Sequence, residues 1–191
     1  MTRLIILGDE LVAGTGDMRG LGWVGRAVAR TEFTSETHVI SLPVPHENTS
    51  DLAARWESEV MRRLGPDDEP LYAAVAMGVH DIPAGIAGAR TRLNLANTLD
   101  GLYKLGARCM LVGPPPLPGV DSASIEALVK IGKEVAHRRN IPWVDTYTPL
   151  VNHEHWRAEF LEPGASYPGQ SGYGLLTWVV LHEGWYEWLS A

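Results

Sequence analysis

The stretch Leu4-Ile5-Ile6-Leu7 empties directly into Gly8-Asp9-Glu10, and it constrains the fold more than any other part of the chain. Four consecutive apolar residues ended by a turn pair predict a strand covered on both faces, the condition inside a parallel sheet. Strand signals recur near 37–42, 71–77, 107–113 and 141–145, and helical patterns fall near 21–31, 49–64, 86–104, 122–139 and 170–189. In the second of these helices Leu52, Trp56, Val60 and Leu64 recur every four residues, with Ser50 placed to cap its start and Gly65-Pro66 to stop it. Five strands alternating with helices predict a three-layer α/β/α sandwich, with right-handed crossovers around a five-stranded parallel sheet. In such a fold the C-terminal ends of the strands are where a site is built. With 191 residues and no internal repeat, low-complexity tract or linker, the chain reads as one domain over 1–191.

A net charge of -7 leaves no electrostatic footprint for a nucleic-acid role. No apolar run approaches the 18 or so residues of a membrane span. A strand that begins by Leu4 leaves no room for a cleaved leader, so a cytoplasmic protein is expected. The lone Cys109 lies in the apolar run Cys109-Met110-Leu111-Val112 and reads as a buried structural thiol.

Several stretches, spread over nearly the whole length and in the right order, resemble the SGNH (GDSL-type) acyl-hydrolases. Gly8-Asp9-Glu10-Leu11-Val12-Ala13-Gly14 followed by Gly22-Trp23 is similar to that family's first block. Asn48-Thr49-Ser50-Asp51-Leu52 with Arg55-Trp56 resembles the start of its second helix, and Gly78-Val79-His80-Asp81 stands where the family has Gly-x-Asn-Asp. Gly113-Pro114-Pro115-Pro116 is similar to the turn after its fourth strand; Tyr167-Pro168 with Gly172-Tyr173 stands where it has His-Pro and the opening of the last helix. The resemblance implies a flavodoxin-like sheet of order 2-1-3-4-5. It also implies a serine nucleophile, a histidine base oriented by an aspartate three residues earlier, and an oxyanion cradle. The cradle is made by the Ser and Gly main chains and the Asn side chain.

Carried over position by position, the serine is Glu10, the asparagine His80, the histidine Tyr167, the aspartate Gly164 and the glycine His46. Every named position has changed. The first serine in the chain is Ser35, with Thr15 the only hydroxyl near the first turn. No glycine lies between Ser35 and Leu64 to supply the cradle's amide, and no aspartate follows Asp145. Family-type ester hydrolysis is therefore not expected: nucleophile and base are absent, and a carboxylate at Glu10 repels an oxyanion.

The replacements still carry chemistry. Glu10, His46 and His80 follow three strands that are neighbours in a 2-1-3 order, Asp9 and Asp81 adjoin them in sequence, and Tyr167 is expected over the same crevice. These six are the candidates for lining a pocket. The leading expectation is a Glu10–His80 or Glu10–His46 hydrogen-bonded pair that fills the former cradle, with no cofactor and no metal. The same two imidazoles and carboxylate form the ligand set of several metal sites, which is the alternative. Asp9 is expected to brace its turn by accepting main-chain N–H bonds rather than to act as a nucleophile. The remaining histidines lack a second ligand at metal spacing; His153 and His155 point to different faces of a helical stretch.

Four of the seven tryptophans, Trp156, Trp178, Trp185 and Trp188, follow residue 150. Apolar residues run almost all round the last helix, which favours a homodimer or partner surface there. The preferred reading is a catalytically degenerate family relative that binds a small molecule or a protein. The rivals are a hydrolase rebuilt on Glu10, Asp9, His46 or His80, with or without a metal, and a purely structural or oligomeric protein.

Overall fold

The computed structural model describes residues 1–66, 69–162 and 164–190. The apolar runs become one sheet: β1 (Thr2–Gly8), β2 (Thr37–Pro43), β3 (Leu71–Ala76), β4 (Arg108–Val112) and β5 (Trp143–Val144), in the order β2-β1-β3-β4-β5. All four pairings are parallel, with Ile6 of β1 opposite Ser41 on one side and Ala74 on the other. The helices are α1 (Glu10–Ala13), α2 (Gly22–Ala29), α3 (Thr49–Met61), α4 (Gly88–Lys104), α5 (Ser122–Arg139), α6 (Glu154–Ala158), α7 (Gln170–Val180) and α8 (Tyr186–Ser190). The architecture is the flavodoxin-like α/β arrangement, in the strand order that the family resemblance implied.

Side chains alternate across each strand, so β1 feeds two cores at once. Leu4 and Ile6 pack with Trp23 of α2, Tyr173 and Leu176 of α7, and Trp185 and Trp188 beyond it. Ile5 and Leu7 pack with Leu52, Trp56 and Val60 of α3, Leu95 and Leu99 of α4, and Leu128 and Val135 of α5. All four are fully buried, each contributing about 1.5–3 kcal/mol on removal from water. Cys109 is buried with the second group, and its surroundings push the thiol pKa up to about 12.

Several boundaries differ from the sequence reading, each for a local reason. The cap of α3 is Asn48, whose Oδ1 accepts the N–H groups of Ser50 (2.9 Å) and Asp51 (3.1 Å); Ser50 is already inside the helix. That helix ends at Met61, ahead of Gly65-Pro66, as Arg63 N–H turns back to the Val60 carbonyl at 2.8 Å. β5 shrinks to two residues because the Asp145 carboxylate accepts from the N–H groups of Tyr147 and Thr148 and curls the chain away. The continuous helix expected over 170–189 is broken. Gly184 has φ +134°, which no right-handed helix contains, and a wide turn at Leu181–Trp185 separates α7 from α8.

The break changes the reading of the aromatic C-terminus. Trp156, Trp185 and Trp188 turn into the core, and Trp178 alone of the four is open to solvent, at 58 %. Among the described residues no helix is long and apolar enough to cross a membrane.

Candidate functional site

The site is assembled where β1, β2 and β3 end side by side. β1 stops at Gly8, and Asp9 caps the single turn of α1, its Oδ1 accepting from Leu11 N–H at 3.0 Å. Gly14 closes that turn in the left-handed region at φ +78°; a Cβ there would come within 2.5 Å of the Gly22 nitrogen. This tight loop holds Glu10, buried, against the loops that leave the two neighbouring strands.

Glu10 meets both of them. Its Oε1 lies 2.9 Å from His80 Nε2, on the β3 loop, and its Oε2 accepts the main-chain N–H of His46, on the β2 loop, at 2.6 Å. The Glu10 main-chain N–H also stabilises the charge. Against the burial that disfavours ionisation, these bonds hold the carboxyl at a pKa of about 2. The same contact raises the pKa of His80, with the charges of Glu10, Asp9 and Asp81 adding to the rise. The His46 ring stands edge-on to the His80 ring, centroids 5.2 Å apart, with His46 Nδ1 3.6 Å from Glu10 Oε1.

The expected hydrogen-bonded pair is present, but His46 enters it differently from the sequence reading. Without a glycine in the β2 loop, the cradle's amide was expected to be missing. His46 itself takes φ +59°, a left-handed conformation costly for a side-chain-bearing residue, and turns its N–H onto the carboxylate.

Asp9 is the least settled group in the site. Among the described residues its Oδ2 has no hydrogen-bond partner, though the residue is only 2 % exposed, and it lies 3.5 Å from His80 Nε2. A Cβ on residue 78 would come within 1.9 Å of this oxygen, so Gly78 is what lets the carboxylate sit there. Burial, followed by the charge of Glu10, pushes the Asp9 pKa up to about 7.

The other candidates divide. Tyr167 is half-buried beside Glu10, and burial together with that carboxylate raises its phenol pKa. Asp81 is not brought to Glu10: its Oδ1 accepts from Thr49 N–H (2.6 Å) and its Oδ2 from the hydroxyls of Thr49 (2.7 Å) and Thr91 (2.5 Å). It ties the start of α3 to α4. Gly164 is exposed at φ +85°. His153 precedes α6 and stands with its ring 5.7 Å from that of His155. Among the described residues, Glu10, His46 and His80 form the cluster whose ligand atoms all lie within 4.8 Å of one another.

Sequence reasoning missed the brace behind the site. Arg55 pairs with buried Glu47 through two hydrogen bonds and donates to the Leu42 carbonyl at 2.7 Å, locking the end of β2. Periodicity placed Arg55 off the apolar stripe of α3 and gave no sign of its partner. Tyr173 was legible only as part of a motif; its buried hydroxyl donates to the Thr15 carbonyl at 2.7 Å and pins the loop after α1.

Known proteins share this fold. A lipase/acylhydrolase from Enterococcus faecalis is 25% identical and superposes with a TM-score of 0.74, over 96% of this chain and 95% of that one. TesA is 18% identical, with a TM-score of 0.76 over 97% and 99%. An acetylxylan esterase from Geobacillus stearothermophilus is 18% identical, with a TM-score of 0.78 over 98% and 95%. No curated protein matches the chain in sequence. The GDSL-like lipase/acylhydrolase family profile matches residues 6–175, which takes in the β1 turn, both histidine loops and the Tyr167-Pro168 turn. With the profile spanning most of the chain and the sheet order in agreement, the chain belongs to the GDSL-like lipase/acylhydrolase family.

Proposed function

We propose that this protein is a non-hydrolysing member of its family, and that the strand-end pocket binds a small ligand or a partner instead of turning over an ester. The observation that carries the reading is the Glu10 carboxylate. It takes the N–H of His46 and the imidazole of His80, the donors standing where the family binds a developing oxyanion. Losing a triad member elsewhere leaves about 10³–10⁴-fold catalysis, supplied by the cradle and by binding. Here a second negative charge about 4 Å from the Glu10 carboxylate is opposed by about 4 kcal/mol at an effective dielectric of 20. That is about 10³ in rate, enough to erase most of the remainder.

The rival hydrolase needs a nucleophile that can reach substrate. Asp9 is sealed at 2 % exposure, and Glu10 has both oxygens engaged. A self-association role would fall to Trp178, the large apolar side chain that the C-terminal helices leave most open. The test is turnover of short p-nitrophenyl esters by wild type and Glu10→Ala, with and without a chelator. Rates at background in all four arms support the binding reading. A wild-type rate that disappears in Glu10→Ala overturns it, and persistence of that rate in chelator separates a carboxylate mechanism from a metal one.

A further inference from the structure

Glu10, His46 and His80 bring one donor atom each within 4.8 Å of one another, and Asp9 Oδ2, outside that group, lies beside the same imidazole with no hydrogen-bond partner among the described residues. Glu10 Oε1 stands 2.9 Å from His80 Nε2 and 3.6 Å from His46 Nδ1, and Asp9 Oδ2 stands 3.5 Å from His80 Nε2. Ligands on a tetrahedral ion at about 2.0–2.2 Å are separated from one another by about 3.3–3.6 Å. The two separations from Glu10 Oε1 to the imidazoles fall near that spacing before any ion is considered. A hydrogen-bonded pair explains the contact between Glu10 and His80. It does not explain why a second carboxylate oxygen, buried and unpartnered, is held against the same imidazole, with Gly78 clearing the space for it. Buried polar atoms without partners are rare in folded proteins, and a bound ion accounts for some of them.

We propose that the strand-end cluster of Glu10, His46 and His80 binds one divalent transition-metal ion of the zinc type, with the Asp9 carboxylate beside it as a further negative charge. The donor set is two imidazole nitrogens and one carboxylate oxygen, which suits zinc and its neighbours better than the all-oxygen shells of calcium or magnesium. The three ligands follow adjacent strands of the sheet, so the sheet itself sets their spacing. The ion takes the place of the proton shared by Glu10 and His80, and that proton leaves to solvent as the ion binds. His46, whose side chain is 70 % exposed, forms the open side of the site. This assignment deepens the binding reading above by giving its ligand a chemical class.

The test uses full-length protein purified without a polyhistidine tag, stripped with chelator, loaded with Zn²⁺ and dialysed. The expected result is one zinc per chain by elemental analysis and a raised melting temperature on loading. His46→Ala is the informative variant because its exposed ring can be removed without opening the core. Its metal-free melting temperature should match wild type while its zinc affinity falls at least about tenfold, the scale seen when groups supporting a metal are removed. Asp9→Asn should weaken binding as well, and His155→Ala should not. A metal-free stoichiometry after loading, or equal weakening in His155→Ala, overturns the site. Zinc bound without ester turnover supports both this site and the binding reading. Zinc-dependent turnover keeps the site and sinks the binding reading, whereas neither zinc nor turnover does the reverse.

Discussion

Replacing Asp9 by asparagine isolates what the buried carboxyl costs the fold. Asparagine keeps the Oδ1 acceptor that caps Leu11 N–H and is as good a cap as aspartate, so the change removes a titrating group and little else. In the folded chain the Asp9 pKa is raised from 3.8 to about 7. Between those values the folded protein holds a proton that the unfolded chain has released, and wild-type stability falls by about 1.4 kcal/mol for each unit of rising pH. About three units give an upper bound of about 4 kcal/mol, and relaxation around a charged group trims such penalties. A gain of about 2 kcal/mol for Asp9→Asn at pH 8, shrinking towards zero near pH 4, is the expectation that follows. Urea unfolding of both proteins from pH 4 to 8, in chelator so that no metal contributes, reads the difference directly. The sign differs from that of His80. Its raised pKa adds stability below 6.5 that is lost as pH rises through the folded value, and because the Asp9 charge is one cause of that rise, asparagine trims this contribution as well. A stability difference that stays constant across the whole range would refute the argument, because a perturbed carboxyl at position 9, directly and through His80, makes it depend on pH.

Three further outcomes follow from the same geometry. Glu10→Gln should lower stability at pH 7 by about 1–3 kcal/mol. The carboxyl is held at about 2 against 4.5 when free, so the loss should fade as pH drops from 4.5 towards 2 in a urea series carried down to pH 2. His46→Gly should raise stability by about 0.5 kcal/mol, since it relieves a left-handed conformation while keeping the N–H that Glu10 accepts and adds back some freedom to the unfolded chain; chelator-treated melts measure it. The Cys109 thiol, buried and pushed up to about 12, should react with a disulfide reagent only at the rate of global unfolding, and fast labelling of the native protein would contradict its placement.

The fold was legible because strand burial and helix periodicity are written in consecutive residues. Leu4 to Leu7 need apolar partners on both sides wherever they fold, and Leu52, Trp56 and Val60 mark one face of α3. What escaped the sequence was set by single side chains acting across the chain. Asp145 curtails β5, Gly184 breaks the last helix, and Arg55 finds Glu47 and the Leu42 carbonyl. None of these leaves a periodic trace. The identities at the site were legible, since Glu10, His46 and His80 each follow a strand and the three strands are neighbours. Their atoms were not. Nothing in the letters distinguishes a histidine that offers its ring from one that offers its main chain, or an aspartate with two partners from one with an oxygen left over.

That distinction changes what the altered motif means. At the position that the resemblance gives to the family's glycine, His46 takes φ +59° and puts its N–H on the site. At the position it gives to the asparagine, His80 Nε2 lies 2.9 Å from Glu10 Oε1. Both positions therefore present a donor to Glu10. Glu10 does the opposite: it keeps its place at the turn and fills the cradle with a permanent anion, held ionised down to about pH 2 by the same donors. Donors that would stabilise a passing negative charge in an acyl-hydrolase meet a resident one here, and a carboxylate beside two imidazoles is a cation-attracting arrangement. The proposed absence of ester turnover and the proposed metal site therefore rest on the same side chain, Glu10.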